Sequence, residues 1–426
     1  MHRAMSAITH LFLNSFIVSP LRDQEQKSME IDAARQQKAR EYARKRLQLS
    51  LIGMCIAAIG ICLIIGIGLD KWLRDQLQYA SHWFSPLLWQ PLRGWFPLQI
   101  LGYFLILVLV YELISLPRAY YAGFTLPKRY GISTMTLKAW LIDLGKQFVL
   151  SLILEAAGLS LIYALLALQP DLWWLWVALV MLFFSVIMAN LAPVLIFPLF
   201  YKFTPLPEGE LTRRLTALVE RANTHVRGVF TMQMSNKTTA ANAALMGLGN
   251  TRRIVLGDTM VDRYSLDEIE VVLAHELGHH VHHDIWKLIL SQAVLTLGGL
   301  YIANVLLHWI VDGQHYYQAL TDPATLPFLF LLAGVFSLIV MPIGNGYSRL
   351  IEYQADEYAL QSTQKVEAFK SAMTRLANQN LTDIEPPPLV EFLFHSHPSI
   401  RKRLKHADMF LTRRPQAFKA SMSAPS

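Results

Sequence analysis

Long apolar runs, parted by short polar stretches, set the pattern of this chain. Six runs are long enough to cross a bilayer as helices: residues 49–69, 98–116 (closed by Pro117), 148–168, 172–199, 285–309 and 326–343. Only Gln169-Pro170-Asp171 separates the third run from the fourth, so those two form an antiparallel hairpin. A charged, helix-favouring stretch at 23–48 precedes the first run and holds Arg35, Lys38, Arg40, Arg44, Lys45 and Arg46. Trp72, Trp83, Trp89 and Trp95 follow it, as in a segment at the lipid–water interface. The apolar piece at 8–21 is broken by Thr9, His10, Asn14 and Ser15, and no small-residue cleavage site follows. It is read as an interfacial or weakly ordered segment, not a cleavable leader.

Between the fourth and fifth runs the periodicity changes. Pro207-Glu208-Gly209-Glu210 opens an amphipathic helix that ends near Asn223. Residues 226–234 and 253–257 read as short strands, with Asn242-Ala243-Ala244 between them as a third or an edge. A helix is predicted over 266–284. After the sixth run come polar helices over 347–378, the loop Pro386-Pro387-Pro388 and a basic tail. The expected division is an N-terminal segment (1–48), four membrane helices (49–200), a polar α+β part (201–284), a membrane hairpin (285–346) and a C-terminal part (347–426). The fold class is mainly α, a polytopic helical membrane protein with a small α+β unit.

Composition sharpens this picture. Of 426 residues, 53% are hydrophobic and 16% charged, which argues against an ordinary soluble enzyme. The net charge of +7 sits between apolar runs and not on an aromatic-rich binding module, so nucleic acid is not an expected partner; the bilayer is. With the N-terminus in the cytoplasm, Arg118, Lys128, Arg129, Lys138 and residues 203–284 fall on the same side. The other side then keeps Lys71, Arg74 and Arg93, and its last loop, 309–323, lacks Lys and Arg. Cys55 and Cys62 share one apolar run, which excludes a disulfide framework and a cysteine-ligated zinc.

The predicted helix at 266–284 carries His275-Glu276-Leu277-Gly278-His279. Histidines at i and i+4 share one helical face and can reach one metal ion. Glu276 lies about 100° round the helix, placed to act on a water without ligating the metal. Val271, Val272, Leu273, Ala274 and Leu277 surround the motif with apolar residues, where unpaired His and Glu would be costly.

Two histidines leave zinc short of a third protein ligand and one open position. Glu352 is the best candidate, with Asp356 one turn on to accept the second N–H of a ligating histidine. An isolated E-x-x-x-D is usually a solvated acidic face, but Ile351, Ala355 and Ala359 make this helix largely apolar. Topology adds an argument of its own. The fifth and sixth runs form a hairpin, with the histidines just before it and Glu352 just after it, so both arrive at one depth. One zinc ion per chain is expected, and the implied reaction is metal-assisted hydrolysis with Glu276 as general base.

The ordered segments Ser115-Leu116-Pro117-Arg118-Ala119-Tyr120-Tyr121, Lys128-Arg129-Tyr130-Gly131 and Phe203-Thr204-Pro205-Leu206-Pro207-Glu208-Gly209 extend the pattern beyond the metal motif. So do Asn242-Ala243, Arg253-Ile254-Val255-Leu256, residues 348–359 and His397-Pro398. Over roughly 50–410 the chain resembles the integral-membrane CAAX prenyl protease type I family of gluzincin-like zinc metalloproteases. That resemblance implies membrane helices enclosing a chamber, with a zincin-like α+β protease domain at the cytoplasmic end. It implies His275, His279 and Glu352 as zinc ligands, Glu276 as base and Asp356 behind a ligand. It further implies that Asn242 and Ala243 lie on an edge strand that pairs with substrate backbone. His397 and Arg403 match the donors near the scissile carbonyl. The expected partners are peptide or protein substrates, prenylated in the family.

Departures point to a bacterial inner-membrane member more than one of the endoplasmic reticulum. The span that eukaryotic members carry before residue 49 is read as replaced by the short 8–21 piece, and the Ser-Ala-Pro-Ser end is no retention signal. General turnover of membrane polypeptides is then an alternative to CAAX cleavage. A membrane chaperone keeping zinc for structure is a second alternative. A transporter is disfavoured, because the spans carry few ionisable residues such as Glu112 and Glu155. His280, His282 and His283 are read as non-ligands, and Asp284 as a partner of a ligand. Asn380-Leu381-Thr382 matches a glycosylation sequon but falls on the expected cytoplasmic side.

Overall fold

The computed structural model describes residues 31–84, 96–247 and 249–422. Six helices among them are long and apolar enough to cross a membrane: Ala33–Gly66, Leu98–Arg129, Leu137–Leu168, Trp173–Leu199, Asp284–Gly313 and Pro323–Thr363. Their outward faces carry exposed Leu113, Ile153, Phe183, Leu290 and Ile339, which only a lipid environment tolerates in such density.

Every span predicted from the apolar runs is present, and most are longer than the run itself. The first helix, α1 (Ala33–Gly66), takes in the basic residues from Arg35 to Arg46. Asp32 caps it by accepting from the Arg35 N–H. Its first turns are tied to the C-terminal part, where Gln36 Nε2 donates to the Thr382 carbonyl at 3.2 Å and Ile384 N–H to Gln36 Oε1 at 3.2 Å. Gln36, Ala39 and Tyr42 are buried there. Part of the Trp-rich stretch forms a further helix, α2 (Leu69–Phe84), which exposes Trp72. Trp89, Trp95, Arg93 and the 8–21 piece lie outside the described residues.

The remaining helices are α3 (Phe96–Tyr120), α4 (Leu137–Leu168) and α5 (Trp173–Leu191). At the end of the bundle away from the sheet, buried polar groups join α2 and α4 to residues 317–325. Asp70 accepts from Tyr317 Oη at 3.0 Å, Arg74 pairs with Asp322 at 2.7 Å, and Tyr163 Oη meets Thr325 Oγ1 at 2.9 Å. Each is satisfied, as buried polar groups must be.

The polar part holds a four-stranded mixed sheet in the order β1-β2-β4-β3. β2 (Val229–Met232), β3 (Ala243–Met246) and β4 (Arg253–Gly257) fall where strands were expected. β1 (Phe203–Pro205) was not foreseen; it is three residues long and ends in proline, so it leaves no alternation to read. β2 and β4 are parallel, and β3 lies antiparallel to β4 with Met246 opposite Arg253. β3 therefore has an open edge. The helix α6 (Glu210–Arg221) buries Leu215, Leu218 and Val219 in the core shared by sheet and helices.

Four more helices follow: α7 (Leu266–Val281), α8 (Asp284–His308), α9 (Leu326–Thr363) and α10 (Val366–Gln379). After them come the short α11 (Pro388–Phe394) and α12 (Ile400–Met422). No break separates the sixth span from the polar helix after it. α9 runs through both, so a single rigid rod brings residues 351–360 out of the bundle and against α7.

Candidate metal and catalytic site

Local sequence fixes α7 at both ends. Ser265 and Glu268 form a reciprocal capping box, Glu268 N–H to Ser265 Oγ at 3.2 Å and Ser265 N–H to Glu268 Oε2 at 2.8 Å. At the other end His283 adopts φ +58°, a left-handed conformation that costs a non-glycine residue roughly 1–2 kcal/mol. That reversal makes Asp284 the first residue of α8 and turns its carboxylate back onto His279. Between these ends Leu273, Ala274, Leu277 and Gly278 are buried, which holds the helix against the sheet and α9.

His275, His279 and Glu352 converge, and one ligand atom from each lies within 4.8 Å of the others. His275 Nε2 is 3.4 Å from Glu352 Oε2, and His279 Nε2 is 3.5 Å from Glu352 Oε1. The other ring nitrogens are held from behind. His275 Nδ1 lies 2.9 Å from Asp356 Oδ1, and His279 Nδ1 lies 3.0 Å from Asp284 Oδ2. Each carboxylate can accept an Nδ1–H, which keeps the Nε2 atoms facing inward.

These residues fit a divalent cation. Glu352 is buried, and its Oε2 takes no hydrogen bond. A buried carboxylate oxygen whose imidazole neighbour, His275 Nε2, stands 3.4 Å off is costly as it stands. Two neutral imidazoles and one carboxylate are the donor set of a hydrolytic zinc site with an open position.

Electrostatics follow from this crowding. Burial works against charge on His275, but its bonds to Asp356 and Glu352 outweigh that and push it up to about 9. His279 is also raised against the effect of burial, by Glu352 and Asp284. Burial raises the Glu276 carboxyl above the ordinary range, partly offset by the two imidazoles. Glu276 lines a cleft of about 450 Å³ together with His279, Glu352 and His397.

His397 reaches this cleft from the loop between α11 and α12, its Nε2 3.2 Å from Glu352 Oε1. Helix α9 steadies that loop: Arg349 Nη1 donates to the His395 carbonyl at 2.6 Å and Asn345 Nδ2 to Leu393 at 2.6 Å. Arg403 sits elsewhere than at the cleft wall. Its guanidinium forks onto Asp356, Nε to Oδ2 at 2.8 Å and Nη2 to Oδ1 at 2.5 Å, with Nη2 3.3 Å from His275 Nδ1. Here it is a buried residue behind His275.

Asn242 and Ala243 stand at the start of β3. The Asn242 carbonyl accepts from Gly257 N–H at 2.8 Å, and its Oδ1 takes the Ala243 N–H at 3.0 Å. The cleft itself meets β3 further along, at Leu245 and Gly247. Asn380, noted in the sequence only as a sequon, braces this strand from outside. Its Oδ1 accepts from Ala241 N–H at 2.8 Å and its Nδ2 donates to the Ala241 carbonyl at 3.0 Å. Nothing in its local sequence signals that role. Among the other histidines, His282 packs on Tyr358 with ring centres 5.9 Å apart, and His280 and His283 line the cleft.

Comparison with known proteins gives one consistent result. Residues 205–410 match peptidase family M48, and residues 23–202 match the family described as CAAX prenyl protease N-terminal, five membrane helices. The chain is 33% identical to the metalloprotease YhfN of Bacillus subtilis, over 87% of this chain and 84% of that one. It is 28% identical to CAAX prenyl protease 1 of Saccharomyces cerevisiae, over 89% of this chain and 87% of that one. The crystal structure of S. mikatae Ste24p superposes with a TM-score of 0.76 at 25% identity, covering 93% of this chain and 97% of that chain.

Proposed function

The chain belongs to the CAAX prenyl protease group of peptidase family M48, and on that premise we propose that it hydrolyses peptide bonds of membrane-associated or lipidated, CAAX-type polypeptides at the His275–Glu276–His279–Glu352 site. The observation that carries this is the buried Glu352 carboxylate, one oxygen unpartnered, facing the His275 and His279 imidazoles beside a Glu276 that lines the same cleft.

In this reading His275, His279 and Glu352 hold one zinc ion. When bound, zinc supplies Lewis acidity, lowering the pKa of a water and polarising a carbonyl oxygen. Asp356 and Asp284 keep both imidazoles in the tautomer that ligation needs. Glu276 takes the proton of the attacking water and passes it to the leaving amine, a role suited by its raised pKa. His397 donates to the carbonyl oxygen as charge develops there. Arg403 acts through Asp356, as a positioning residue.

The open edge of β3 supports substrate binding by strand addition. In an antiparallel pair alternate residues turn their peptide groups away from the partner strand, so with Asn242 facing β4, Ala243 and Leu245 face the free edge. The distribution of Lys and Arg favours a site on the cytoplasmic side of the membrane, and the likeness to a Bacillus subtilis metalloprotease favours a bacterial inner membrane over the endoplasmic reticulum.

The test is cleavage by the purified, zinc-loaded protein of a prenylated peptide against its unprenylated twin, with Glu276→Gln as control. The variant should bind zinc and cut neither peptide. Retained turnover would overturn the assignment of Glu276. Equal rates on both peptides would favour general turnover of membrane polypeptides over CAAX specificity.

A further inference from the structure

The cleft has a second wall that the chemistry above leaves unused. Arg252, His280 and His283 lie on it, close to Gly247 and Gly249 of the turn after β3. Arg252 and Arg253 are sequence neighbours that go opposite ways, as successive residues of extended chain do. Arg253 donates to the Pro193 carbonyl and lies over the rings of Phe203 and Phe230, 5.0 and 5.7 Å from their centres. Arg252 turns to the cleft.

There it is half-buried, and no carboxylate among the described residues pairs with it. The acids of the cleft wall are Glu276, Asp284 and Glu352. Asp284 is taken by His279 and by Lys287 Nζ at 2.9 Å, and Glu352 faces the imidazoles. Burial alone acts on the Arg252 guanidinium, lowering its hold on the proton with no acid to offset it. A half-buried guanidinium without a counter-ion is a cost that a ligand of opposite charge relieves.

The register of the sheet says where that ligand sits. Met246 pairs with Arg253, so Arg252 stands on the β4 side, one strand in from the open edge and level with Gly247, where β3 ends. A chain added to that edge advances roughly 3.4 Å per residue. It passes Leu245 and Gly247 and brings one group, a few residues from the bond at Glu276, up to Arg252. Guanidinium binds carboxylate through two parallel N–H bonds, a geometry that lysine cannot copy.

We propose that Arg252 is a carboxylate subsite of this cleft, taking an α-carboxylate or an Asp/Glu side chain at a fixed number of residues from the cleaved bond. This rests on the proteolytic reading and names part of its substrate specificity.

The experiment uses the full-length, zinc-loaded protein and one peptide in three forms: free C-terminal acid, C-terminal amide, and amide with an Asp moved stepwise along the chain. Cleavage is measured as kcat/KM, and binding as the Kd of the same labelled peptides for the Glu276→Gln protein. The wild type should prefer a carboxylate form over the plain amide about tenfold in both readouts, the value of a charge-assisted bond. A preference for the free acid identifies the chain terminus; a preference for one Asp position identifies a side chain. Arg252→Gln should bring the acid-to-amide ratio close to one, Arg252→Lys should restore part of it, and Arg252→Glu should favour a peptide with Lys at that position. A wild type indifferent to the carboxylate, or an Arg252→Gln protein that keeps the preference, overturns the subsite. Carboxylate-selective binding with no cleavage of any peptide leaves the subsite standing and sinks the protease reading instead.

Discussion

Gly278 lies directly against Ala355: a Cβ built on Gly278 would stand 2.9 Å from Ala355 Cα and 3.1 Å from its carbonyl oxygen. That absent side chain lets α7 and α9 approach closely enough for Glu352 to reach His275 and His279. The obstacle is backbone, which cannot rotate away. Gly278→Ala should therefore push the helices apart, destabilise the protein by about 1–3 kcal/mol and lower zinc content and activity together. Metal analysis and thermal unfolding of the variant check this; full zinc occupancy at wild-type stability would show that the contact does not set the site.

That contact also shows what the sequence reveals and what it hides. The histidine pair was legible because i, i+4 spacing on an apolar helix has few other uses. Glu352 was legible through topology, since a membrane hairpin must return its two ends to one depth. The closeness of Gly278 to Ala355 was not, because it depends on how two helices distant in sequence cross. Arg403 shows the same limit. Its residue type suits a donor to substrate, but its guanidinium is spent on Asp356, a partner 47 positions away. Asn380 is the extreme case, a polar residue whose bridge to Ala241 spans 139 positions. Local patterns betray elements and short spacings; long-range polar pairing leaves no periodic trace.

Removing the groups behind the ligands should weaken zinc binding without touching a ligand. Asp356→Asn keeps the shape but loses the charge that holds the Nδ1–H of His275, and should cost about 10–100-fold in zinc affinity. Asp356→Ala also strands Arg403, which is buried, and should destabilise the fold by about 3–5 kcal/mol. Asp284→Asn should resemble the first case, through His279. Zinc competition with a chromophoric chelator separates the affinity loss from the fold loss; unaltered affinity in both Asn variants would count against the proposed tautomer control.

Asn380→Ala should act on substrate, not on metal. The substitution removes both bonds to the buried Ala241 and leaves its backbone N–H and carbonyl unpaired, a loss of about 1–3 kcal/mol. Ala241 immediately precedes Asn242 and the open β3 strand, so KM should rise severalfold while zinc content holds. A rise in KM with zinc retained supports strand addition at β3. Loss of zinc with unchanged KM would place the role of Asn380 elsewhere.

The pH dependence divides into two parts with opposite roles for the proton. In the metal-free protein His275 is raised to about 9, so below that value it carries a proton that zinc must displace. Apparent zinc affinity should climb as pH rises towards about 9 and then level off, steepening by about one decade per pH unit for each proton displaced. Calorimetry in buffers of differing ionisation enthalpy counts those protons directly. Asp356→Asn, which removes the negative charge that helps raise His275, should move the plateau to lower pH. Turnover of the zinc-loaded enzyme follows Glu276 instead. A general base works only when ionised, and burial has raised this one, so kcat/KM should fall on the acid side through a value above the ordinary carboxylate range of about 4–5. Replacing the water with deuterium oxide should slow that same limb if the proton passing to Glu276 is in flight at the rate-limiting barrier. An acid limb at the ordinary carboxylate value would mean that Glu276 meets open solvent during turnover, and that the burial raising it here is lost when the substrate enters.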